Sequence, residues 1–177
     1  MKGNIVLCGF MGCGKTTVGR KTAKLLHVPF CDLDEYIEER EGMRIPEIFA
    51  QYGEDGFRKR ESEAVEEIAK KGGMIVACGG GTVLFPQNVE AFHKNGSAIV
   101  LLYVPLLILQ ERLKADTQRP LLQKPNRRQV ISELYRERMP KYRAAADCTL
   151  RAVAPVSVVA KRLAALYEKN FGTQEKI

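Results

Sequence analysis

Asn4-Ile-Val-Leu-Cys8 runs without a break into Gly9-Phe-Met-Gly-Cys-Gly14-Lys15-Thr16, and Lys15–Leu26 then keeps its apolar residues on one helical face. A short apolar run halted by glycine reads as a buried strand, and the periodic segment after it reads as a helix. Between them lies G-x-x-x-x-G-K-[ST] without deviation. Its glycines let the backbone wrap a phosphate chain that a β-carbon would obstruct. Its N–H groups point inward and meet the positive end of the following helix. Lys15 supplies a mobile charge to the β- and γ-phosphates, and Thr16 supplies a hydroxyl to Mg²⁺. Strand, loop and helix together predict the opening unit of a P-loop NTPase-like α/β fold that binds a nucleoside triphosphate.

The same alternation continues outward. Strands are expected at Phe30–Leu33, Met74–Cys78 and Ser97–Val104, with a weak fifth at Asp147–Leu150. Helices are expected at Glu35–Arg40, Pro46–Tyr52, Asp55–Lys71, Pro86–Lys94 and Pro105–Leu113. A long helix capped by Asn126 runs to about Tyr142, and a last one covers Pro155–Lys169. Lys114–Pro125 reads as a polar loop and Asn170–Ile177 as a frayed tail. Strands that alternate with helices imply a five-stranded, mostly parallel sheet with helices on both faces, a three-layer sandwich. Ligands of such sheets sit beyond the carboxyl ends of the strands.

Three of those ends carry candidate residues. Asp32-Leu-Asp34 follows the second strand, and alternate strand residues share a face, so both carboxylates can look into one site. One would hold Mg²⁺ through water and the other would accept a hydrogen bond from an attacking hydroxyl. The same residues would equally serve as helix caps. Arg58 and Glu61, three apart on a helix, are neighbours: a glutamate fixing a guanidinium for a bound carboxylate, or an ordinary surface pair. Gly79-Gly80-Gly81 after the third strand lets backbone approach a ligand closely. Arg119, in the loop between two helices, suits a lid over phosphates. Tyr135, Arg138 and Tyr142 share one helical face.

Composition sets the outer bounds. The chain has 177 residues, 45% hydrophobic and 28% charged, with a net charge of +7. These values suit one soluble domain over 1–177. No apolar run approaches bilayer length, and Met1–Leu7 lacks the layout of a signal peptide, so a cytoplasmic protein is expected. The basic residues are dispersed and no aromatic-and-basic platform accompanies them, which argues against nucleic acid. N-K-x-D and D-x-x-G are missing, which argues against a GTP-driven switch. The five cysteines are odd in number and form no C-x-x-C pair, so neither a disulfide framework nor a zinc site follows. Cys8, Cys31 and Cys78 read as small buried hydrophobes. Cys13 reads as a tolerated small residue, although a helix N-terminus lowers thiol pKa.

In this order, the phosphate loop Gly9–Thr16, Asp32-x-Asp34, Phe57-Arg58-x-x-Glu61 and Gly79–Gly81 resemble the shikimate kinase family. Arg119-Pro-Leu-Leu122 looks like its lid, and Tyr135-x-x-Arg138-x-x-x-Tyr142 like its later arginine motif. The resemblance runs from about Asn4 to Leu166. It implies a nucleoside-monophosphate-kinase-like build with a substrate-binding segment at about 33–61 and a lid at about 114–125. It also implies transfer of the γ-phosphoryl of ATP to the 3-hydroxyl of shikimate, giving shikimate 3-phosphate and ADP on the way to chorismate and the aromatic amino acids.

By that likeness Lys15, Asp34 and Arg119 are catalytic. Gly12, Cys13, Gly14, Lys15, Thr16, Thr17, Arg112 and Arg119 contact ATP, with Arg112 on the adenine. Asp34, Arg58, Gly80 and Arg138 bind shikimate, the two arginines on its carboxylate. Mg²⁺ sits on Thr16 and, through water, on Asp32. A monomer is expected. The chain departs from the pattern at Arg151-Ala-Val-Ala-Pro155, where some members place an arginine just before the proline, and at Cys78. The neighbouring alternative is another small P-loop kinase, such as one acting on gluconate or on a nucleoside monophosphate.

Overall fold

The computed structural model of the chain describes residues 3–114 and 126–171. Five strands, β1 (Ile5–Cys8), β2 (Phe30–Asp32), β3 (Ile75–Ala77), β4 (Ala98–Tyr103) and β5 (Cys148–Arg151), form one sheet in the order β2-β3-β1-β4-β5. Every pairing is parallel, with Leu7 level with Ala77 on one side and Val100 on the other. The helices are α1 (Lys15–Leu26), α2 (Leu33–Glu41), α3 (Ile45–Lys71), α4 (Pro86–Lys94), α5 (Leu106–Arg112), α6 (Arg127–Ala145) and α7 (Val156–Phe171). A 3-10 turn covers Thr82–Leu84. Right-handed crossovers place α1 on one face of the sheet and α3 and α4 on the other. The packing of α1 on α7 and of α3 on α4 follows that division.

β1 and β4 are covered on both faces, so their inner residues are unbroken apolar runs: Ile5, Val6 and Leu7, then Ile99, Val100, Leu101 and Leu102, all buried. The strand order reverses at β1, whose neighbours β3 and β4 lead their crossovers away in opposite directions. That reversal opens a crevice at the carboxyl end of β1, where the phosphate loop stands.

Most element boundaries differ from the sequence expectation by one or two residues, and some differences have a clear physical origin. β2 ends at Asp32, not Leu33, because the Asp32 carboxylate accepts the Asp34 N–H at 3.2 Å and starts α2 at Leu33. The two helices expected at Pro46–Tyr52 and Asp55–Lys71 are one element, α3, broken only at Gly53, whose φ of 67° and ψ of −173° are not helical. α6 continues past Tyr142 to Ala145, carrying Pro140 within it. α7 continues past Lys169 to Phe171, whose ring packs edge-on against Tyr167 at 5.4 Å. The expected loop and lid segment lies, from residue 115 to 125, outside the described residues. So does most of the expected tail. Among the described residues no helix is long and apolar enough to cross a membrane.

Candidate active site

The loop from Gly9 to Gly14 turns the chain out of the sheet in little space. A β-carbon on Gly9, at φ 138°, would stand 2.8 Å from the Leu102 carbonyl oxygen. Gly14, at φ 96°, is the N-cap of α1, a left-handed position that favours glycine. The Lys15 ammonium donates to the Gly9 carbonyl at 2.9 Å and the Phe10 carbonyl at 3.4 Å, so its charge is folded back over the loop. Gly12, Gly14, Lys15, Thr16, Thr17, Asp32, Asp34, Gly79 and Gly80 line a common cavity of ≈ 360 Å³ with Met11 and Cys78. Cys13 is buried in the loop, with its Sγ 3.8 Å from Lys15 Nζ.

Asp32 does two jobs at once. One carboxylate oxygen caps α2 through the Asp34 N–H, and the other accepts the Thr16 hydroxyl at 2.7 Å. The cap and the candidate metal function therefore coexist in one residue. Asp34 reaches the same cavity by a different route from the expected one. It is not on the strand but in the first turn of α2, so the sharp strand-to-helix turn brings the two carboxylates together, not strand alternation. Burial pushes the Asp34 carboxyl up to about 6; the charges of Asp32 and Glu61 add to this, and Lys15 opposes it.

Arg58 has a long contact of 3.5 Å to the exposed Glu54, but its close ion pair is not a surface one. Its partner Glu61 is 1% exposed, at 2.7 Å from Arg58 Nη1, and also accepts the Thr82 hydroxyl at 2.7 Å. Phe57 and Phe85 flank the guanidinium at 5.1 and 4.9 Å from their ring centres. The glycine run fits around these side chains. A β-carbon on Gly79 would stand 2.7 Å from Asp34 Oδ1, one on Gly81 would stand 2.7 Å from Arg58 Nη1, and one on Gly80 would stand 3.8 Å from Arg138 Nη1. Thus two of the three glycines make room for neighbouring side chains of the site itself, whereas a β-carbon at Gly80 would make only an ordinary contact. Tyr142, further along α6, donates to the Gly80 carbonyl at 2.5 Å, and burial raises its pKa to about 12. Tyr135 lies edge-on to Phe10 of the phosphate loop at 5.5 Å. The face shared by Tyr135, Arg138 and Tyr142 therefore closes the crevice from the α6 side.

Arg112 bridges the Gly12 and Ala152 carbonyls at 3.3 Å each, which ties the phosphate loop to the segment after β5. Arg151 is exposed on β5. Arg119 lies outside the described residues. Cys8 and Cys78 are buried and Cys31 is half-buried; burial pushes the thiols of Cys8 and Cys31 up to about 12 and 11, and that of Cys78 up strongly. Among the described residues all five cysteines are free.

Two residues of this site escaped the sequence reading. Thr82 anchors the buried Glu61, and Phe85 supports Arg58. The signal for Thr82 was a hydroxyl placed directly after three glycines. Nothing local marks Phe85, which meets Arg58 only through the tertiary fold.

The geometry has counterparts in known proteins. A family model described as shikimate kinase matches residues 11–167. A protein named shikimate kinase from Aromatoleum aromaticum is 48% identical over 143 residues, covering 81% of each chain. Another of that name from Thermodesulfovibrio yellowstonii is 43% identical over 166 residues, covering 94% of this chain and 95% of its own. Among solved structures, the shikimate kinase from Acinetobacter baumannii in complex with shikimate superposes with a TM-score of 0.86 at 36% identity, covering 99% of this chain and 97% of that one.

Proposed function

Because the chain belongs to the shikimate kinase family, we infer that it transfers the γ-phosphoryl of ATP to the 3-hydroxyl of shikimate, giving shikimate 3-phosphate and ADP. The observation that carries this reading is the glycine run, which has Asp34 packed at one end and Arg58 at the other, with Arg138 beside its middle residue. An anionic, hydroxyl-bearing acceptor lying along that run meets two guanidiniums with its carboxylate and Asp34 with its hydroxyl. The phosphate loop lines the same cavity as Asp34.

Phosphoryl transfer needs alignment and charge neutralisation more than covalent help. In this reading the N–H groups from Gly12 to Thr17 hold the phosphates. Lys15 leaves the Gly9 and Phe10 carbonyls for the γ-phosphate, and Arg112 lies against the adenine. Arg119 adds a second positive charge to the transferring group. Thr16 and Asp32 suit Mg²⁺, since their oxygens are already 2.7 Å apart at the cavity wall and Mg²⁺ takes few protein oxygens, keeping its waters and the phosphates. Bound there, the ion would neutralise charge between the β- and γ-phosphates. Asp34 accepts the hydrogen bond of the acceptor hydroxyl and orients its lone pair. Glu61 keeps Arg58 in place, because a buried carboxylate with two fixed donors cannot turn away at low cost.

The same reading takes 1–177 as a single kinase domain, acting as a cytoplasmic monomer on ATP and shikimate without nucleic acid or membrane. Its test is ADP release with shikimate, gluconate and nucleoside monophosphates side by side. Turnover confined to shikimate is the expected result. Faster turnover with gluconate would transfer the assignment to a sugar-acid kinase.

A further inference from the structure

A second cavity, larger than the phosphate-loop one, lies elsewhere on the molecule. It is a cleft of ≈ 720 Å³ between the 3-10 turn and α4 on one side and α6 on the other, and it shares no lining residue with the phosphate-loop cavity. Val83, Leu84 and Val89 form one wall and Ala144 and Ala145 the other, while Lys94 and Lys141 stand among its charged residues. Its size falls in the range of small-molecule sites, which combine apolar walls with a few polar groups.

We propose that this cleft binds a small ring-bearing monocarboxylate, and that its occupancy weakens binding of the phosphoryl acceptor. The walls offer apolar surface to a ring. The cations then favour an anion. Lys94 makes no ion pair among the described residues, and Lys141 has only an exposed contact with Glu137 at 3.6 Å, the kind that contributes little. His93 is turned to Asp147 at 3.2 Å, which leaves Glu90 as the one carboxylate lining the cleft against two lysines. No arginine is among its described lining residues, so the fork that favours phosphate is missing.

The coupling follows from what the two walls carry elsewhere. α6 bears Arg138, and Tyr142 of the same helix is bonded to the Gly80 carbonyl. The 3-10 turn bears Thr82, whose hydroxyl holds Glu61 and, through it, Arg58. A ring wedged between these walls changes the spacing of Arg58 and Arg138. This part rests on the reading of those arginines as acceptor ligands. Linkage makes the effect reciprocal: the acceptor must equally weaken the ligand in the cleft.

The probe is 2-naphthoate, with uncharged 2-naphthamide as its control, titrated into the full chain by calorimetry. Saturable binding of naphthoate is expected, with the amide about tenfold weaker, the value of one charge-assisted hydrogen bond. Lys94→Gln with Lys141→Gln should bring naphthoate down to the level of the amide. Ala144→Trp, at an exposed position, should fill the cleft and abolish binding of both; Val89→Trp repeats the block from the opposite wall. In kinetics, naphthoate should raise the KM for shikimate in wild type, whereas Ala144→Trp, whose own ring occupies the cleft, should start from a raised KM that naphthoate does not alter further. Equal binding of acid and amide, or binding that survives both tryptophans, overturns the site. Inhibition that persists in the tryptophan variants places naphthoate on Arg58 and Arg138 and also overturns it. Binding lost in those variants, but without any change in KM, overturns the coupling. A protein inactive on shikimate would fail before any probe is added, whereas the calorimetric arm reads no turnover.

Discussion

Gly79 lacks a β-carbon at a point that would lie 2.7 Å from Asp34 Oδ1, and Gly81 lacks one at the same distance from Arg58 Nη1. Neither glycine has a left-handed φ, so alanine fits the backbone at both positions and only the side-chain ends must move. The two substitutions should therefore separate in kinetics while the fold is kept. Gly79→Ala displaces Asp34, the group proposed to orient the nucleophile, and should lower kcat; a misplacement of about 1 Å can cost on the order of a hundredfold. Gly81→Ala displaces Arg58, the proposed ligand of the acceptor's carboxylate, and should raise the KM for shikimate. Identical kinetic signatures from the two variants would show that the run acts only as a turn.

Asp32 allows its structural and functional roles to be separated. Asparagine is as good a helix cap as aspartate, whereas alanine costs about 1 kcal/mol. Asp32→Asn should keep the thermal stability of wild type but require more Mg²⁺ for half-maximal rate. Asp32→Ala should show both the Mg²⁺ shift and a lower Tm. The measurement is a Mg²⁺ titration beside a thermal melt. An unaltered Mg²⁺ requirement in Asp32→Asn would leave the carboxylate as a cap alone.

What the sequence disclosed follows from how local each feature is. The strand–loop–helix of Ile5–Leu26 was readable because glycine spacing, apolar periodicity and motif coincide within one segment. The convergence of Asp32 and Asp34 on one cavity was readable in outcome but not in cause. Strand alternation suggested convergence, but the cap made by Asp32 moves Asp34 onto α2, and the turn does the converging. The burial of Glu61 was not readable. Its neighbours in sequence are charged, and it is Thr82, distant in sequence, that encloses it. The helix end at Phe171 lies past the expected one because Tyr167 and Phe171, four residues apart in α7, pack ring against ring and support the last turn.

The Arg58–Glu61 pair should act as a unit. Arg58→Ala should raise the KM for shikimate about ten- to a hundredfold, the value of a charge-assisted hydrogen bond, with the KM for ATP unchanged. Glu61→Gln keeps a hydrogen-bond acceptor but removes the charge that fixes the guanidinium. It should raise the same KM by a smaller factor. The double variant should be no worse than Arg58→Ala, since Glu61 acts through Arg58. Additive losses would mean that Glu61 reaches the acceptor by another path.

Asp34 should make the active site costly to the fold, in a pH-dependent way. Its carboxyl is raised from 3.8 to about 6, chiefly by burial, with the charges of Asp32 and Glu61 adding to it. The folded chain therefore holds a proton that the unfolded chain has released between about pH 4 and pH 6. In that window stability falls as pH rises, and above about 6 the full cost of a buried charge is present. The shift corresponds to about 1–3 kcal/mol. Asp34→Asn removes the charge and keeps the shape, so it should unfold at higher urea than wild type at pH 7.5, and the difference should vanish near pH 4. The same variant should lose most of its kcat, with ATP binding little changed. Wild-type kcat/KM for shikimate should fall as pH drops through about 6, since a protonated Asp34 loses the charge with which it is proposed to hold the acceptor hydroxyl. Asp34→Asn should lack that limb of the profile. A variant less stable than wild type at pH 7.5, or one with the acid limb intact, would mean that the carboxylate at position 34 is neither strained nor the group that orients the nucleophile.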